Sequence, residues 1–538
     1  MQLFIQFLTA LFISMVATPI LIKLAVPLGF VDTPNARKIH STAIPRVGGV
    51  GMVLGTVATL LLWVDLEPSA EALLGGIGLL SIVGIADDRY DLHYLWKLLG
   101  QCLAVLFVVH AGDIAIGRLA FGGAVVPGWL VYPLTVVFLL GATNAMNLSD
   151  GLDGLAAGLG ILSLACIAYL AELADGGTII SVCLTIIAAT LGFLRYNTHP
   201  AVVFMGDTGS QFLGFSVGVL AIALTQQVNT AVSAALPLLI LGLPAADTLL
   251  VMAARLSRGR SPFKPDRGHF HHKLLALGLS HMESVLAIYG IQALFVLLAC
   301  LCRYQSDGLI VAVFAGLWLA IALFFPVAKR LRWRRQDQFH GKPSALTRCL
   351  ENLAKSGWLE RASYCFVRLA IPLLLLAGSL ASRRVNIDIA VLSLFVLALW
   401  ALASLPTIRW LPKTGQPAIY SCVALVVYSV DFGGLARPEL ESCFHYFIFV
   451  LAFVVGMGVR FSPQFFSVTP SDFLVMFILI AAANLPVFTG ENYPRLAVEF
   501  AVVLYGVEYL LRRGKTPARL LKLGAAAALA VFAGRGLA

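Results

Sequence analysis

Residues 128–155 join an apolar segment to a dense polar motif and read Gly128-Trp-Leu-Val-Tyr-Pro-Leu-Thr-Val-Val-Phe-Leu-Leu-Gly-Ala-Thr-Asn-Ala-Met-Asn-Leu-Ser-Asp-Gly-Leu-Asp-Gly-Leu155. The motif carries two carboxylates, Asp150 and Asp153, and two carboxamides, Asn144 and Asn147. Carboxylates are costly beside lipid, so a group of them at a membrane surface needs a partner. Mg²⁺ with a phosphorylated substrate is such a partner, because hard cations take oxygen ligands. The stretch therefore predicts a membrane helix that ends in a metal and phosphate site.

The whole chain has the composition of a membrane protein. Its 538 residues are 59% hydrophobic and only 12% charged, whereas soluble domains carry roughly 25% charged residues. Apolar runs of ~18 or more residues recur along the chain, and each is long enough to cross a ~30 Å hydrocarbon core. We therefore predict an all-α polytopic membrane protein with roughly 17 transmembrane helices, about 11 of them in its catalytic part.

The charge balance fits contact with lipids rather than with nucleic acid. The net charge of +10 comes from 38 Lys and Arg against 28 Asp and Glu. Basic cytoplasmic loops and contact with anionic membrane lipids explain this excess. No soluble basic domain is present, which argues against nucleic-acid binding. The nine cysteines are scattered and form no C-x-x-C motif, so they support neither a disulfide framework nor a zinc site.

The loops between the apolar runs predict an orientation. The predicted spans before residue 330 are 3–28, 47–64, 72–86, 98–112, 128–144, 155–172, 178–194, 211–226, 231–253, 283–302 and 308–327. Basic residues concentrate in alternate loops, which the positive-inside rule makes cytoplasmic. The start, Met1-Gln-Leu-Phe-Ile, has no basic n-region, so we expect an uncleaved first span with its N-terminus outside. Nearly every polar motif then falls on the cytoplasmic face.

Hydrophobicity drops and positive charge rises between residues 328 and 364. We predict a membrane-embedded catalytic domain at 1–330, a basic cytoplasmic connector at 331–364 and a multi-span membrane extension of unassigned function at 365–538. The connections within the extension show no dense carboxylate or histidine cluster.

The first cytoplasmic loop carries Lys38, His40 and Arg46, followed by Gly48-Gly49. These basic side chains could contact a diphosphate, and the glycines permit a close backbone approach. A positively charged inner loop with a turn before the next helix is the simpler alternative.

The second motif is Ala86-Asp-Asp-Arg-Tyr-Asp-Leu92, at the end of a predicted span. Asp87 and Asp88 cannot both ionise cheaply, and metal, Arg89 or a shared proton would relieve them. Such a carboxylate could act as a general base. Capping of the helix end is the alternative, although acids at a helix C-terminus oppose the macrodipole.

In the motif at 144–155 the polar side chains recur every three residues. On a straight helix, positions 144 and 153 lie half a turn apart, so the four groups cannot converge without a bend. Gly151 and Gly154 predict that bend. An N-cap role would account for Asp150 or Asp153 alone.

Two further loops carry the fourth and fifth polar motifs. Asp207 in Phe204-Met-Gly-Asp207 precedes a long apolar span, where it is either an N-cap or a group near a bound phosphate. The segment Pro265-Asp-Arg-Gly-His-Phe-His-His-Lys273 has three histidines in four residues. We favour anion binding by these histidines and Arg267 over a metal. Asp247, inside a span, is either a site residue or a packed polar partner.

Taken in order, these five motifs resemble those of the polyprenyl-phosphate N-acetylhexosamine-1-phosphate transferase family, closest to its bacterial undecaprenyl-phosphate GlcNAc-1-phosphate branch. The resemblance covers about residues 1–330. It implies a Mg²⁺-dependent enzyme, with Mn²⁺ as an alternative ion, that transfers sugar 1-phosphate from a UDP-N-acetylhexosamine to undecaprenyl phosphate and releases UMP. UDP-GlcNAc is the favoured donor. The implied setting is the cytoplasmic face of the bacterial inner membrane, where the enzyme would initiate a lipid-linked glycan such as O-antigen or teichoic acid.

The resemblance also implies roles for single residues. Asp207 corresponds to a Mg²⁺ ligand, and we expect Asp150 to be both a second ligand and catalytic. Asp87 and Asp88 correspond to an essential pair for which a base role is proposed. The histidine loop, also expected to be catalytic, comprises His269, His271 and His272. The expected substrate-binding residues are Lys38, His40, Arg46, Asn147, Asp153, Asn197 and Arg267, of which Asp153 and Asn197 resemble a uridine-binding set.

The sequence leaves alternatives to this function open. The phospho-N-acetylmuramoyl-pentapeptide branch has a longer histidine run followed by an acid, which this chain lacks. A multi-span transporter or a lipid-linked scaffold is the alternative of a different class, disfavoured because the ionisable groups gather at one surface. Typical relatives stop near the basic segment, so the resemblance leaves 365–538 unexplained. We also allow for a homodimer.

Overall fold

The structure is a computed structural model, which describes residues 2–32, 43–118, 124–259, 268–331, 357–405, 414–461, 469–470, 472, 474–475, 493–512 and 518–537. The chain divides into two compact units, Met1–Gln336 with Thr469–Leu474 and Asp337–Val468 with Val475–Ala538. The assignment of catalytic domain, connector and extension stays a prediction.

The first unit is a bundle of helices with one short hairpin. Its helices are α1 (Gln2–Leu28), α2 (Gly48–Trp63), α3 (Pro68–Tyr90), α4 (Tyr94–Ala111), α5 (Gly128–Ser149), α6 (Leu155–Glu172), α7 (Gly177–Asn197), α8 (Gly206–Ala223), α9 (Leu236–Leu256), α10 (Phe270–Ala276), α11 (His281–Leu301) and α12 (Asp307–Arg330). Strands β1 (Val31–Asp32) and β2 (Ile44–Pro45) pair antiparallel between α1 and α2. The hairpin is a small addition to the predicted all-α fold.

The second unit is also helical. It comprises α13 (Trp358–Ala381), α14 (Ile387–Ser404), α15 (Gly415–Gly433), α16 (Pro438–Arg460), α17 (Tyr493–Arg512) and α18 (Ala518–Leu537). Helix α15 is buried along most of its length within this unit. The sequence also predicts a span at 472–488, which lies almost wholly outside the described residues.

The predicted all-α membrane fold is confirmed. Fourteen helices of the described chain are long and apolar enough to cross a membrane, and α2 is a shorter apolar helix. The predicted figure of about 17 also includes α2, which is only 16 residues long, α15 and α17, which are not among the fourteen, and the span at 472–488, which the described residues do not cover. Helix α18 covers 523–534, which the sequence predicts only as a shorter apolar run, and it is among the fourteen as Arg519–Leu537.

The C-terminal end of α3 differs from the prediction in a way that affects two of the predicted site residues. The span predicted at 72–86 extends to Tyr90 as α3, so Asp87 and Asp88 lie inside the helix rather than after it. The helix tolerates these acids because their carboxylates find donors on α4 and at the start of α8.

Helix α8 lies at the centre of the first unit and is buried along its length. It packs against α2, α3, α5 and α6. Small residues allow the contacts to be close. A Cβ atom on Gly84 of α3 would lie 2.6 Å from Cα of Thr208, and one on Gly49 of α2 would lie 2.1 Å from N of Gly209. The first turn of α8 is therefore held against the end of α3 and the start of α2.

Candidate active site

Two carboxylates of the first unit converge on one ammonium group. Asp87 lies in the last turn of α3, and Asp207 lies in the first turn of α8. Lys97, in the first turn of α4, places its Nζ 2.5 Å from Asp87 Oδ2 and 2.9 Å from Asp207 Oδ2. Gln211 donates a hydrogen bond of 3.3 Å to the same Asp207 oxygen. Asp87 and the predicted metal ligand Asp207 therefore share a single cation.

Asp88 makes different contacts from its neighbour Asp87. Its Oδ1 accepts a hydrogen bond from the Asp207 N–H at 2.8 Å, and its Oδ2 accepts from the N–H and hydroxyl of Thr208 at 3.1 and 2.7 Å. The first N–H groups of a helix lack intrahelical partners, and negative charge is favoured there. Asp88 thus caps α8 from α3. Of the pair predicted to be catalytic, Asp87 faces Lys97, whereas Asp88 fixes the position of Asp207.

The Gly48-Gly49 pair does make a close backbone approach, and its partner is the segment that leads into α8. The N–H groups of Gly48 and Gly49 donate to the carbonyls of Phe204 and Met205 at 3.0 and 2.8 Å. This contact positions the helix start that carries Asp207.

The chain bends between α5 and α6, as the glycines at 151 and 154 predicted. Gly154 has φ +78°, in the left-handed region that favours glycine. Its N–H donates to Asn197 Oδ1 at 2.8 Å, while Asn197 Nδ2 donates to the Val203 carbonyl at 2.8 Å. The buried Asn197 amide therefore ties the bend to the segment before α8. Its predicted substrate-binding role stays a prediction, and these contacts indicate a positioning role.

The bend brings Asp150 close to other acids of this region, among them Asp207 and Asp88. Burial raises the pKa of Asp150 to about 7, and the charges of nearby acids, Asp207 first, add to the shift. Asn147, from the same motif, donates a hydrogen bond of 2.9 Å to the Ser210 hydroxyl in the first turns of α8. The motif at 144–155 therefore lies next to the helix start that carries Asp207.

Asp153 belongs to a separate cluster with two histidines. Its Oδ2 lies 2.6 Å from His199 Nδ1 and accepts a hydrogen bond from the Ala201 N–H at 3.1 Å. The Asp153 N–H donates to His281 Nε2 at 3.1 Å. The His199 and His281 rings stack with their centroids 4.0 Å apart. One ligand atom from each of the three side chains lies within 4.8 Å of the others, so this cluster could hold a cation or a substrate group.

The histidine loop packs against the bend. His269 Nδ1 lies 2.9 Å from Asp247 Oδ2, and the Phe270 N–H donates to the other Asp247 oxygen at 2.9 Å. Asp247 therefore packs against His269, which is itself one of the predicted site residues. A Cβ atom built on Gly151 would lie 2.2 Å from His271 Nε2, so this ring lies directly on the bend next to Asp150.

Burial lowers the pKa of His271 to about 4, and the charges of the neighbouring histidines, His272 first, lower it further against the charge of Asp247. The His271 ring is therefore neutral at pH 7, with one nitrogen as donor and the other as acceptor. The His272 ring centroid lies 4.2 Å from that of His271.

Basic residues predicted to bind substrate are only partly described. Arg46 pairs with the carboxylate of Asp32, and its Nη1 lies 3.3 Å from Asp91 Oδ1. Lys38, His40 and Arg267 lie outside the described residues.

Three side chains of this region were not among the predicted site residues: Lys97, His199 and His281. Lys97 lies in the loop between the predicted spans 72–86 and 98–112, where the positive-inside rule already accounts for a basic residue. His199 lies a few residues before the motif Phe204-Met-Gly-Asp207, and His281 carries no local signal. Their partners come from distant parts of the chain, which a linear motif does not reveal.

The first part of the chain matches known proteins. Residues 71–225 match the model of glycosyl transferase family 4. The chain is 38% identical over 333 residues to a probable undecaprenyl-phosphate N-acetylglucosaminyl 1-phosphate transferase of Bacillus subtilis, across 60% of this chain and 88% of that protein.

Two further relatives agree. An undecaprenyl-phosphate alpha-N-acetylglucosaminyl 1-phosphate transferase of Escherichia coli K12 is 32% identical over 310 residues, across 56% of this chain and 82% of that protein. A decaprenyl-phosphate N-acetylglucosaminephosphotransferase of Mycolicibacterium smegmatis is 34% identical over 319 residues, across 52% and 77%. The chain belongs to the polyprenyl-phosphate hexosamine-1-phosphate transferase family.

Proposed function

We propose that this protein transfers N-acetylglucosamine 1-phosphate from UDP-GlcNAc to undecaprenyl phosphate and releases UMP, at the cytoplasmic face of the bacterial inner membrane. The observation that carries the proposal is the convergence of Asp87, Asp207 and Lys97 at helix ends, with Asp150 in electrostatic reach. The names of the relatives support the acceptor and the sugar phosphate. Ionisable groups at helix ends also favour an enzyme over a transporter, whose sites lie near mid-membrane.

The carboxylates of the candidate site are suitable ligands for Mg²⁺. Its members are hard carboxylate oxygens, and Asp87 and Asp207 already place oxygens around one positive group, the Lys97 ammonium. We infer that Asp207 and Asp150 would hold the ion. When bound, Mg²⁺ would neutralise negative charge on the diphosphate of the donor.

The reaction is a displacement at phosphorus, in which positioning and charge neutralisation do most of the work. A phosphate oxygen of the lipid attacks the β-phosphorus of the nucleotide sugar, and the bond from that phosphorus to the oxygen of UMP breaks. Lys97 places a fixed positive charge between Asp87 and Asp207, where the developing negative charge must be stabilised. Asp87 would favour the ionised nucleophile, a modest demand because a phosphate monoester has its second pKa near ~6.

The test is an assay of the purified full-length protein with UDP-GlcNAc, undecaprenyl phosphate and Mg²⁺. We expect UMP release that requires both substrates, and a lipid-linked product. A panel of other UDP-sugars on the same protein tests the choice of hexosamine. Absence of UMP release with every donor, from protein that remains folded, would refute the proposal.

Activity should rise with pH through about 7. The raised pKa of Asp150, to about 7, means that the carboxyl is neutral below this pH and ionised above it, and only the ionised form binds a cation. We expect kcat/KM at low Mg²⁺ to increase about tenfold per pH unit below the pKa and to level off above it.

The control for this profile is Asp150→Asn, which should remove the contribution of Asp150 to the inflection near 7. An unchanged profile in that variant would show that another group controls the pH dependence.

Gly151→Ala should impair turnover without unfolding the protein. Its methyl group would lie 2.2 Å from His271 Nε2, so the ring must move away from the bend. A misplacement of about 1 Å costs roughly 10²-fold in rate, and we expect kcat/KM to fall by about that factor.

The matched control is Gly290→Ala, where a new Cβ would meet no atom within 4 Å. Both variants should elute and unfold like the wild-type protein. Full activity in Gly151→Ala would indicate that the His271 ring is not part of the reaction site.

A further inference from the structure

The helices of the second unit bring acidic and basic side chains together at one end, although its sequence shows no dense motif. Asp431 lies in the last turn of α15, and Glu441 and His445 lie one turn apart near the start of α16. Arg495 and Glu499 lie one turn apart near the start of α17. Three helices thus contribute to one cluster, which we call the extension cluster.

His445 lies at the middle of the extension cluster. Its Nδ1 lies 2.6 Å from Glu499 Oε1. Its Nε2 lies 3.9 Å from Glu441 Oε1 and 4.0 Å from Asp431 Oδ1. Arg495 Nε lies 2.8 Å from the same Asp431 oxygen. The imidazole is therefore oriented by one carboxylate and presents its other nitrogen to two more.

Asp431 and Glu499 are the buried acids of the extension cluster, whereas Glu441, His445 and Arg495 are half-buried. The Glu499 residue is 6% exposed, and among the described residues its Oε2 and His445 Nε2 have no hydrogen-bond partner. The extension cluster contains three carboxylates, one guanidinium and one imidazole. Burying such charge without a counter-ion is expensive.

We propose that the extension cluster is a binding site for a divalent transition-metal ion, with His445 Nε2, Asp431 and Glu441 as ligands and Glu499 as the group that orients the imidazole. A metal-binding histidine commonly gives its other ring nitrogen to a carboxylate, as His445 does. The carboxylates of Glu441 and Asp431 are already close to the ring nitrogen that would bind the ion, because His445 Nε2 lies 3.9 Å from Glu441 Oε1 and 4.0 Å from Asp431 Oδ1.

The spacing and chemistry of the donors narrow the class of ion. Metal–ligand distances of about 2.1 Å in a tetrahedral site place neighbouring ligand atoms about 3.4 Å apart, so small side-chain movements would close the observed gaps. An imidazole with carboxylates and no thiolate suits Zn²⁺ or Mn²⁺ better than Cu⁺, and the nitrogen donor disfavours Ca²⁺ and Mg²⁺. The site is distinct in ligand type from the all-oxygen set around Asp207.

The test is metal content of the full-length protein after chelation and reloading. Protein reloaded with Zn²⁺ in excess Mg²⁺ and then dialysed should retain about one Zn²⁺ that depends on the extension cluster. His445→Gln and Glu499→Gln should lose this ion, whereas Asp207→Asn should retain it. The matched control is His281→Gln in the first unit, which removes a histidine from the Asp153 cluster.

Several outcomes would overturn the proposal: a wild-type protein that retains no Zn²⁺, a His445→Gln variant that retains all of it, or loss of the ion in His281→Gln alone. If His445→Gln does not fold, the wild-type protein loaded with Mn²⁺ provides the test. Its electron spin resonance spectrum must show coupling to an imidazole nitrogen. The same spectrum should persist in His281→Gln. A spectrum with oxygen ligands only would overturn the proposal.

Discussion

Asp207→Asn should lower kcat/KM for UMP release by roughly 10²- to 10³-fold, the usual effect of removing a group that stabilises charge in the transition state. The substitution keeps the shape of the side chain and removes its negative charge. The Asp207 N–H that donates to Asp88 is retained, so the cap of α8 should survive. We also expect a much higher Mg²⁺ concentration for half-maximal activity.

The control is Asp175→Asn, a surface substitution at a positive φ of 53° that asparagine also adopts. It should leave both the turnover and the Mg²⁺ dependence unchanged. The temperature of unfolding separates a chemical effect from a loss of folding. Wild-type Mg²⁺ dependence in folded Asp207→Asn would refute its role as a metal ligand.

The sequence predicted the helices well because lipid imposes a simple rule on them. An apolar run of sufficient length must form a helix to satisfy its backbone, and the runs before residue 330 all appear as helices. The bend after Asn147 was also predictable, because glycines follow the polar residues there. These features depend on residues that are close in sequence.

Contacts between helices could not be predicted in the same way. Asp88 and Thr208 are 120 residues apart, and nothing near Asp88 indicates that it caps another helix. Asp247 gave a local signal, yet its partner His269 became visible only in the fold. The pair Asp87 and Asp88 looked equivalent in the sequence, but their different neighbours separate their roles.

Single charged residues were the hardest to interpret. A basic residue in a cytoplasmic loop has a ready explanation in the positive-inside rule, so Lys97 did not stand out. The extension cluster escaped for a related reason: His445 and Glu499 are 54 residues apart and lie in different helices. Isolated polar residues in apolar helices are therefore informative only once their partners are known.

Lys97→Met should lower kcat by about 10²-fold, because it removes the fixed positive charge that Asp87 and Asp207 share. The two carboxylates would then face each other without that cation, so we also expect a lower temperature of unfolding. Mg²⁺ should raise this temperature more in the variant than in the wild-type protein, since the ion can replace the missing charge. Activity should not recover with the ion, because the lysine charge is needed in addition.

Two comparisons make this expectation specific to the position of the charge. Lys23→Met removes an exposed lysine of α1 and should change neither kcat nor the effect of Mg²⁺ on unfolding. Lys97→Arg keeps the charge but replaces a compact ammonium with a planar guanidinium, so it should restore stability more than turnover. Steady-state kinetics and thermal unfolding at several Mg²⁺ concentrations measure both quantities. If Lys97→Met turns over at more than half the wild-type rate, the cation between Asp87 and Asp207 serves folding alone, and the chemistry must be assigned to other residues of the cluster.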